Sequence, residues 1–362
     1  MFLSRSALSR RGVCYALLAI TAFTVAGYSF SLQKPSTVLA ADNAVNIYSY
    51  RQPFLITPLL EKFTADTGIK TNVIFAKKGL IERMAAEGKI SPADVLLTVD
   101  IGRLEAAVEK DVAQPVSSKI LNSTIPERYR SAKNDWFGLT LRSRVVFASK
   151  TRVKQDAISY EELADPKWKG KICMRSGQHV YNVAMIASMI AHHGKEDTKK
   201  WLLGLKDNLA RKPSGNDRAQ VKAVFAGECD LAIGNTYYMG KMQTNEEKPE
   251  QKEWVKSVKV LFPNSKTRGA HVNVSGMVLA KYAPHKQNAI KLMEFLASKD
   301  AQKIYAKVNY EYPVTPGVEW SDIVNSWGKF TADKLPLDEI AKLRKAASLL
   351  VDETDFNSGP SS

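Results

Sequence analysis

Apolar positions along the chain switch repeatedly between a period of two and a period near 3.6. An extended apolar run at 45–49 is followed by helix-spaced Leu55, Leu59, Leu60 and Phe63 up to Gly68, then by a second extended run at 71–75. The rhythm continues with a helix at 80–87, a buried strand at 93–99, a helix at 104–108 and a long strand at 136–148. It restarts with a strand at 171–175, helices at 181–193 and 196–204, a helix at 218–226 and a strand at 230–234. An extended run at 272–280 and helices at 284–297 and 299–308 complete it. Strands apolar on both faces and alternating with helices predict an α/β fold of mainly parallel sheets covered by helices. Two such units in 362 residues predict two lobes, with a ligand cleft between them at the strand ends.

The first residues break the pattern. Arg5, Arg10 and Arg11 precede any acid, residues 12–30 are almost wholly apolar, and Val38, Leu39, Ala40 and Ala41 end the stretch in small residues. This is an export signal over 1–41 with a cut after Ala40 or Ala41; the long gap between apolar core and cut leaves an uncleaved N-terminal anchor as the alternative. Ser9-Arg10-Arg11-Gly12-Val13 is similar to a twin-arginine signal, which carries proteins across a membrane already folded. The remainder divides into lobe 1, residues 42–142 with 275–312, and lobe 2, residues 143–274 with 313–355, followed by a disordered tail at 356–362.

The chain carries 52 Lys and Arg against 37 Asp and Glu, a net +15. Loss of Arg5, Arg10, Arg11 and Lys34 with the signal leaves +11 (15 − 4). The basic residues are scattered through amphipathic segments without interleaved aromatics, which argues against nucleic acid and for a solvated surface on a monomer. With Cys14 removed, Cys173 and Cys229 remain in an oxidising compartment, where one disulfide and two buried thiols are both open readings. There is no Cys/His spacing suited to zinc, no GxSxG, HExxH, Walker A or GxGxxG, and no Ser/His/Asp set in a supporting context. A binding protein is expected rather than an enzyme.

The candidate chemistry lies at strand-to-helix turns. Tyr237 and Tyr238 follow the 230–234 strand, and Tyr181 opens the helix after the 171–175 strand. Tyrosine pairs most often serve core or rim, but three phenols at one edge also suit a hard trivalent cation, since three phenolates neutralise Fe(III) and a metal lowers the pKa of a coordinated phenol. The helix N-terminus from Ser176 to Val180 offers a seat for an anion completing the coordination. Arg142 and Arg144 project from one face of the long strand, either to clamp a carbonate or carboxylate or as surface arginines. His192 and His193 read as C-capping residues, His179 as a solvated loop histidine close enough to Tyr181 to touch the site, and Asp100 equally as a cap of the helix opening at Ile101 or as a group facing the cleft.

The chain resembles the periplasmic ferric-iron-binding proteins of ABC uptake systems, the transferrin-like branch of the type 2 solute-binding fold. The likeness is carried by Asn43-Ala-Val-Asn-Ile-Tyr-Ser49, Ser91-Pro-Ala-Asp-Val-Leu-Leu-Thr98, Trp136-Phe-Gly-Leu-Thr-Leu-Arg-Ser-Arg144, Tyr160-Glu-Glu-Leu-Ala-Asp-Pro-Lys-Trp-Lys-Gly-Lys171, Gly227-Glu-Cys-Asp230, Gly234-Asn-Thr-Tyr-Tyr238 and Gly269-Ala-His-Val-Asn-Val-Ser-Gly276. The resemblance implies a periplasmic, two-lobed protein that captures Fe(III) and delivers it to an inner-membrane ABC permease with its ATPase. It implies Tyr237 and Tyr238 as paired iron ligands, Tyr181 as a third, and the strand arginine, most simply Arg142, either as the contact for a synergistic anion such as carbonate or citrate or as a support behind the ligands. The chain departs from many relatives in the first loop, where Gln52 and Pro53 stand in place of a histidine and tyrosine, and at Val99, where some relatives place a glutamate. Lobe 1 is therefore expected to give a neutral oxygen from Gln52, a phenol from Tyr50 if the loop bends, or an anion contact from Arg51. The alternative function is binding of an organic anion or an intact iron chelate in the same cleft. A metal-dependent hydrolase would lack a base and nucleophile.

Overall fold

The computed structural model describes residues 43–360, so the expected export signal with its cleavage site and twin-arginine motif lies outside the described residues. The first run comprises β1 (Ala44–Ser49), α1 (Pro53–Thr67), β2 (Lys70–Phe75), α2 (Leu80–Glu87), β3 (Val95–Thr98), α3 (Ile101–Glu109), β4 (Ala113–Gln114) and α4 (Lys119–Thr124). Pro53 opens α1 where a missing N–H costs nothing. Ile56, Leu59, Leu60 and Phe63 bury one face, and Gly68 ends the helix in the left-handed region at φ 70°. Asp100 caps α3 as expected, its side chain accepting from Arg103 N–H at 3.2 Å.

The second run comprises β5 (Phe137–Ser149), β6 (Ile172–Cys173), α5 (Val180–Asp207), α6 (Asp217–Phe225), β7 (Leu231–Asn235), α7 (Tyr237–Gln243), α8 (Glu250–Lys256) and β8 (Val258–Leu261). The chain then returns through β9 (Val272–Ala280), α9 (Lys286–Ala297), α10 (Lys299–Asn309), β10 (Tyr312–Pro313), α11 (Asp322–Asn325) and α12 (Leu337–Glu353). Gly194, at φ 77°, breaks α5 into the two helices that the sequence predicts. His192 sits just before the break and bonds Asp333 at 2.6 Å.

The strands form two sheets that share β5. Parallel pairing joins β1 to β2 and β3, and β6 to β7. The pairings β3–β9, β5–β9, β5–β7 and β5–β8 are antiparallel, so the sheets are mixed rather than mainly parallel. The reason is topological: the chain leaves the first sheet along β5 and re-enters it along β9, and neighbouring strands that carry it out and back must run in opposite directions. Phe137–Ser143 pair with β9 whereas Arg144–Ala148 pair with β7, which puts the outward crossing between Ser143 and Arg144 and the return at Val272. All thirteen residues of β5 are buried, the arginines included. Close packing of β9 against β5 and α3 within the first sheet depends on Gly276, where a Cβ would lie 2.5 Å from the Phe137 carbonyl oxygen and 2.8 Å from Leu104.

The segment expected to be a disordered tail is folded as far as it is described. Phe356–Ser358 form a single 3-10 turn, Phe356 is fully buried beside Gly177 and Val351, and Asn357 Oδ1 accepts from Gly177 N–H at 2.9 Å. One aromatic side chain with an apolar seat is enough to order a segment whose composition reads as polar. A second cross-link is covalent: Cys173 in β6 and Cys229 just before β7 form a disulfide, with Cα atoms 5.9 Å apart and a sequence separation of 56. Closing a loop of this length removes on the order of 4 kcal/mol of unfolded-chain entropy. The Cys173→Ser, Cys229→Ser double variant is expected to lose about 2–4 kcal/mol of stability in urea unfolding. The same loss is expected for the unaltered protein under reductant.

Candidate metal and anion site

β7 ends at Asn235, and the next residues start α7, so Tyr237 and Tyr238 occupy the first turn of a helix at the carboxyl end of a strand. Tyr181 is the second residue of α5. The three side chains meet: Tyr237 Oη lies 3.2 Å from Tyr181 Oη, and the Tyr237 and Tyr238 rings pack at 4.4 Å between centroids. All three are half-buried and line a cleft of about 420 Å³. Burial pushes the Tyr237 and Tyr238 phenols above the usual tyrosine range, reinforced by the Tyr181 phenol beside them, so both are neutral at pH 7 in the metal-free site.

The cleft is strongly cationic. Lys77 and Arg103 line it from the first run of elements, Arg175, Arg218 and Lys241 from the second, and Arg51 and Arg142 from the loop after β1 and the crossing strand. Against these seven stands one lining carboxylate, Glu311. Arg142 and Arg51 both donate to Ser275 Oγ, Arg142 at 2.9 Å, and Arg51 also pairs with Glu311 at 2.8 Å. Arg142 is only 2% exposed, yet its Nε and Nη2 have no hydrogen-bond partner among the described residues, and nor does Arg51 Nε. Buried donors of this kind are costly unless a bound group satisfies them.

Arg144 and Ser176 are placed differently from expectation. Arg144 does not line the cleft: it pairs with Asp217 at 2.6 Å and donates twice to Asn182 Oδ1, at 3.0 and 2.7 Å. Arg175 binds the other Asp217 oxygen at 3.1 Å, and Asn235 N–H donates to Asp217 at 2.9 Å. Burial alone would raise the Asp217 carboxyl, but the two arginines and this N–H outweigh it and hold it below the usual range. Asp217 thereby consumes the charge of Arg144 and fixes the strand end that presents the tyrosines. The turn at Ser176 spends its N–H groups internally: Gly177 donates to Asn357, Gln178 to Ser176 Oγ and His179 to the Ser176 carbonyl. Val180, which opens α5, lines the cleft.

His179 is the cap of α5 rather than a solvated loop residue. Its Nδ1 accepts from Tyr181 N–H at 3.3 Å, and its ring packs edge-on to the Tyr181 ring at 4.5 Å. Burial, then Arg175 and Arg144, push its pKa down to about 3, so it is neutral. In the first loop Gln52 is exposed at the cleft, while Tyr50 Oη accepts from Ile81 N–H at 3.0 Å with Arg103 stacked 4.1 Å over its ring. Sequence reasoning passed over Arg103, Arg218, Lys241, Ser275 and Asp217. Asp217 offered a weak signal as an acid in a first helical turn, but nothing local tied it to Arg144, 73 residues away.

One further contact joins the second run to the returning segment. α7 packs on the turn after α10: a Cβ at Gly240 would overlap the Tyr310 ring, Tyr310 Oη donates to Thr244 Oγ1 at 2.9 Å, and Lys241 Nζ donates to the Val308 carbonyl at 2.7 Å. Tyr310 holds the left-handed conformation, φ 57°, to make this clasp.

Residues 91–327 match the family of bacterial extracellular solute-binding proteins. The chain is 45% identical over 346 residues to iron uptake protein A1 of Synechocystis, spanning 93% of this chain and 96% of that one. Ferric iron-binding protein A of Mannheimia haemolytica, solved in an open conformation, is 52% identical with a TM-score of 0.83, covering 87% of this chain and 99% of its own. The Trichodesmium protein solved in complex with iron and citrate ligands is 43% identical with a TM-score of 0.83, covering 86% and 99%. In sequence and architecture, the chain is a two-lobed member of the bacterial extracellular solute-binding protein family.

Proposed function

We propose that the protein captures Fe(III) in this cleft outside the cytoplasm and hands it to an ABC importer, with Tyr181, Tyr237 and Tyr238 as phenolate ligands. The observation that carries the reading is the convergence of three phenols at one strand edge, with Oη atoms of Tyr181 and Tyr237 only 3.2 Å apart. Three phenolates balance a trivalent ion, and hard oxygen donors match its preference. The names of the relatives, which speak of iron uptake and ferric iron binding, support the same cargo. The role is non-enzymatic, the protein acts as a monomer, and a permease with its ATPase is the receiving partner. The anion completing the site sits on Arg142 and Arg51, whose free N–H groups suit a carbonate or carboxylate.

A second reading, capture of iron as an intact anionic chelate, is favoured by the seven cations around the phenols. The structure of the Trichodesmium relative with iron and citrate supports it as well. In either case closure draws binding energy from both walls, and the α7 clasp to Tyr310 is the closed-state contact.

Titration of the mature protein with ferric citrate is expected to raise a visible tyrosinate-to-iron charge-transfer band. Tyr237→Phe and Tyr238→Phe should each weaken or abolish it, and no band at saturating iron would overturn phenolate coordination. Since Tyr237 and Tyr238 are neutral before iron arrives, each releases a proton on binding, and affinity falls as pH falls. Tyr181 must also lose its phenolic proton to bind as a phenolate, so competition against a chelator, corrected for the chelator's own protonation, should show a loss of roughly 1000-fold per pH unit below neutrality. One factor of ten should disappear in Tyr237→Phe. The clasp variant Tyr310→Phe with Thr244→Val is expected to keep the band while iron leaves about three- to tenfold faster in stopped-flow chelation, the worth of roughly one hydrogen bond.

A further inference from the structure

α12 packs against helices of both runs, α3 of the first and α5 of the second. Its hold on the start of α5 is complete. Gln178, in the turn before α5, donates to the Ser348 carbonyl at 2.9 Å and to Asp352 at 2.8 Å, and accepts from Ser348 Oγ at 2.7 Å. Val351 lies directly against Gly177 in the same turn.

The hold of α12 on α3 is only half made. Arg344 lies across the first turn of α3, where a Cβ at Gly102 would overlap its guanidinium. Its Nη2 stops 3.8 Å from Asp100 Oδ1, and its Nε has no hydrogen-bond partner among the described residues. Asp100 is 1% exposed, and its Oδ2 is equally unpartnered among the described residues. Arg103 does not supply the missing bond. Its Nε stands 3.9 Å from Asp100, its Nη2 donates to the Lys77 carbonyl at 2.9 Å, and its guanidinium is stacked on Tyr50. A buried carboxylate and a guanidinium that each lack a bond, with their nearest atoms about 1 Å beyond charge-assisted hydrogen-bond distance, form a contact that a small approach of α12 to α3 would complete.

We propose, resting on the iron reading of the cleft, that Asp100 and Arg344 are a latch completed when the cleft closes on its cargo, and that this pair sets how long iron is held. Asp100 opens α3, and Arg103 three residues on lines the cleft, so the latch acts on the wall facing the tyrosines. The Tyr310 clasp is made and this contact is not, so the two belong to different stages of closure. An ion pair completed only in the closed state stabilises that state and slows opening, while leaving the iron ligands untouched.

The test is to load the mature protein with radioiron and follow its release into excess chelator. Asp100→Asn keeps a capping oxygen for α3 and removes the charge, whereas Arg344→Gln removes the guanidinium. Each is expected to release iron about tenfold faster with the tyrosinate band unchanged. The double variant should release iron no faster than either single one, because both remove the same pair. Gly102→Ala separates the latch from a general loss of structure. Alanine suits a helix better than glycine, so the melting temperature should hold, yet the methyl takes the place of the guanidinium and release should quicken as in Arg344→Gln. Release within about twofold of the unaltered rate in Asp100→Asn and Arg344→Gln, or single effects that multiply in the double variant, would overturn the latch. An unaltered protein that retains no radioiron would overturn the iron reading and the latch with it, an outcome visible before any substitution is made.

Discussion

Two guanidinium groups, those of Arg51 and Arg142, converge on one hydroxyl, that of Ser275, beneath the cleft. Both are almost fully buried, and Glu311 is the carboxylate that faces them. A buried charge without a full set of partners is unfavourable in a low-dielectric interior, so this arrangement survives only because the surrounding fold over-determines it. Ser275 is on β9, Arg142 on β5 and Glu311 just before β10, so the strands that join the sheets also hold the charge. The cleft floor and the crossing are one piece of structure, and each constrains the other.

Much of this was legible in the sequence because the signals are local. Strand and helix periodicity placed the long central strands and the helices between them, though not β4, β8, β10, α4, α7, α8, α11 or α12, and Gly194 between two helical patterns marked the break in α5. Tyr237, Tyr238 and Tyr181 were visible because a strand-to-helix turn has one geometry, and tyrosine there is exposed to whatever the strand ends face. The misreadings involve partners distant in sequence. Arg144 looks like Arg142 in its strand context, and only Asp217, brought in by α6, removes it from the cleft. Ser176 looks like a free helix start until Asn357, from a segment read as disorder, takes the Gly177 N–H. The mixed sheet was misjudged for the same reason, since apolar runs carry no record of strand direction.

The two halves of the site are also held differently. The tyrosines sit on elements tied together by the Cys173–Cys229 bridge and by Asp217, which binds Arg144 of β5, Arg175 of the β6–α5 loop and the Asn235 N–H of β7. The facing wall, with Tyr50, Gln52, Lys77 and Arg103, belongs to the other sheet and reaches α7 through the clasp at Tyr310. A preformed donor set facing a wall that docks on it suits reversible capture, because the ligand is bound by one half and retained by the other.

The seven-to-one excess of cations over carboxylates in the cleft also governs which form of a solute arrives quickly. Between low-dielectric walls such an excess focuses a positive potential outward, accelerating the encounter with anions and slowing that with bare cations. The field reaches about one Debye length, roughly 8 Å at physiological ionic strength, so the gain shrinks as salt rises. The mouth of the cleft therefore acts as a kinetic filter that favours metal already wrapped in negative oxygen donors, and its selectivity is exercised in diffusion, before any phenol is touched.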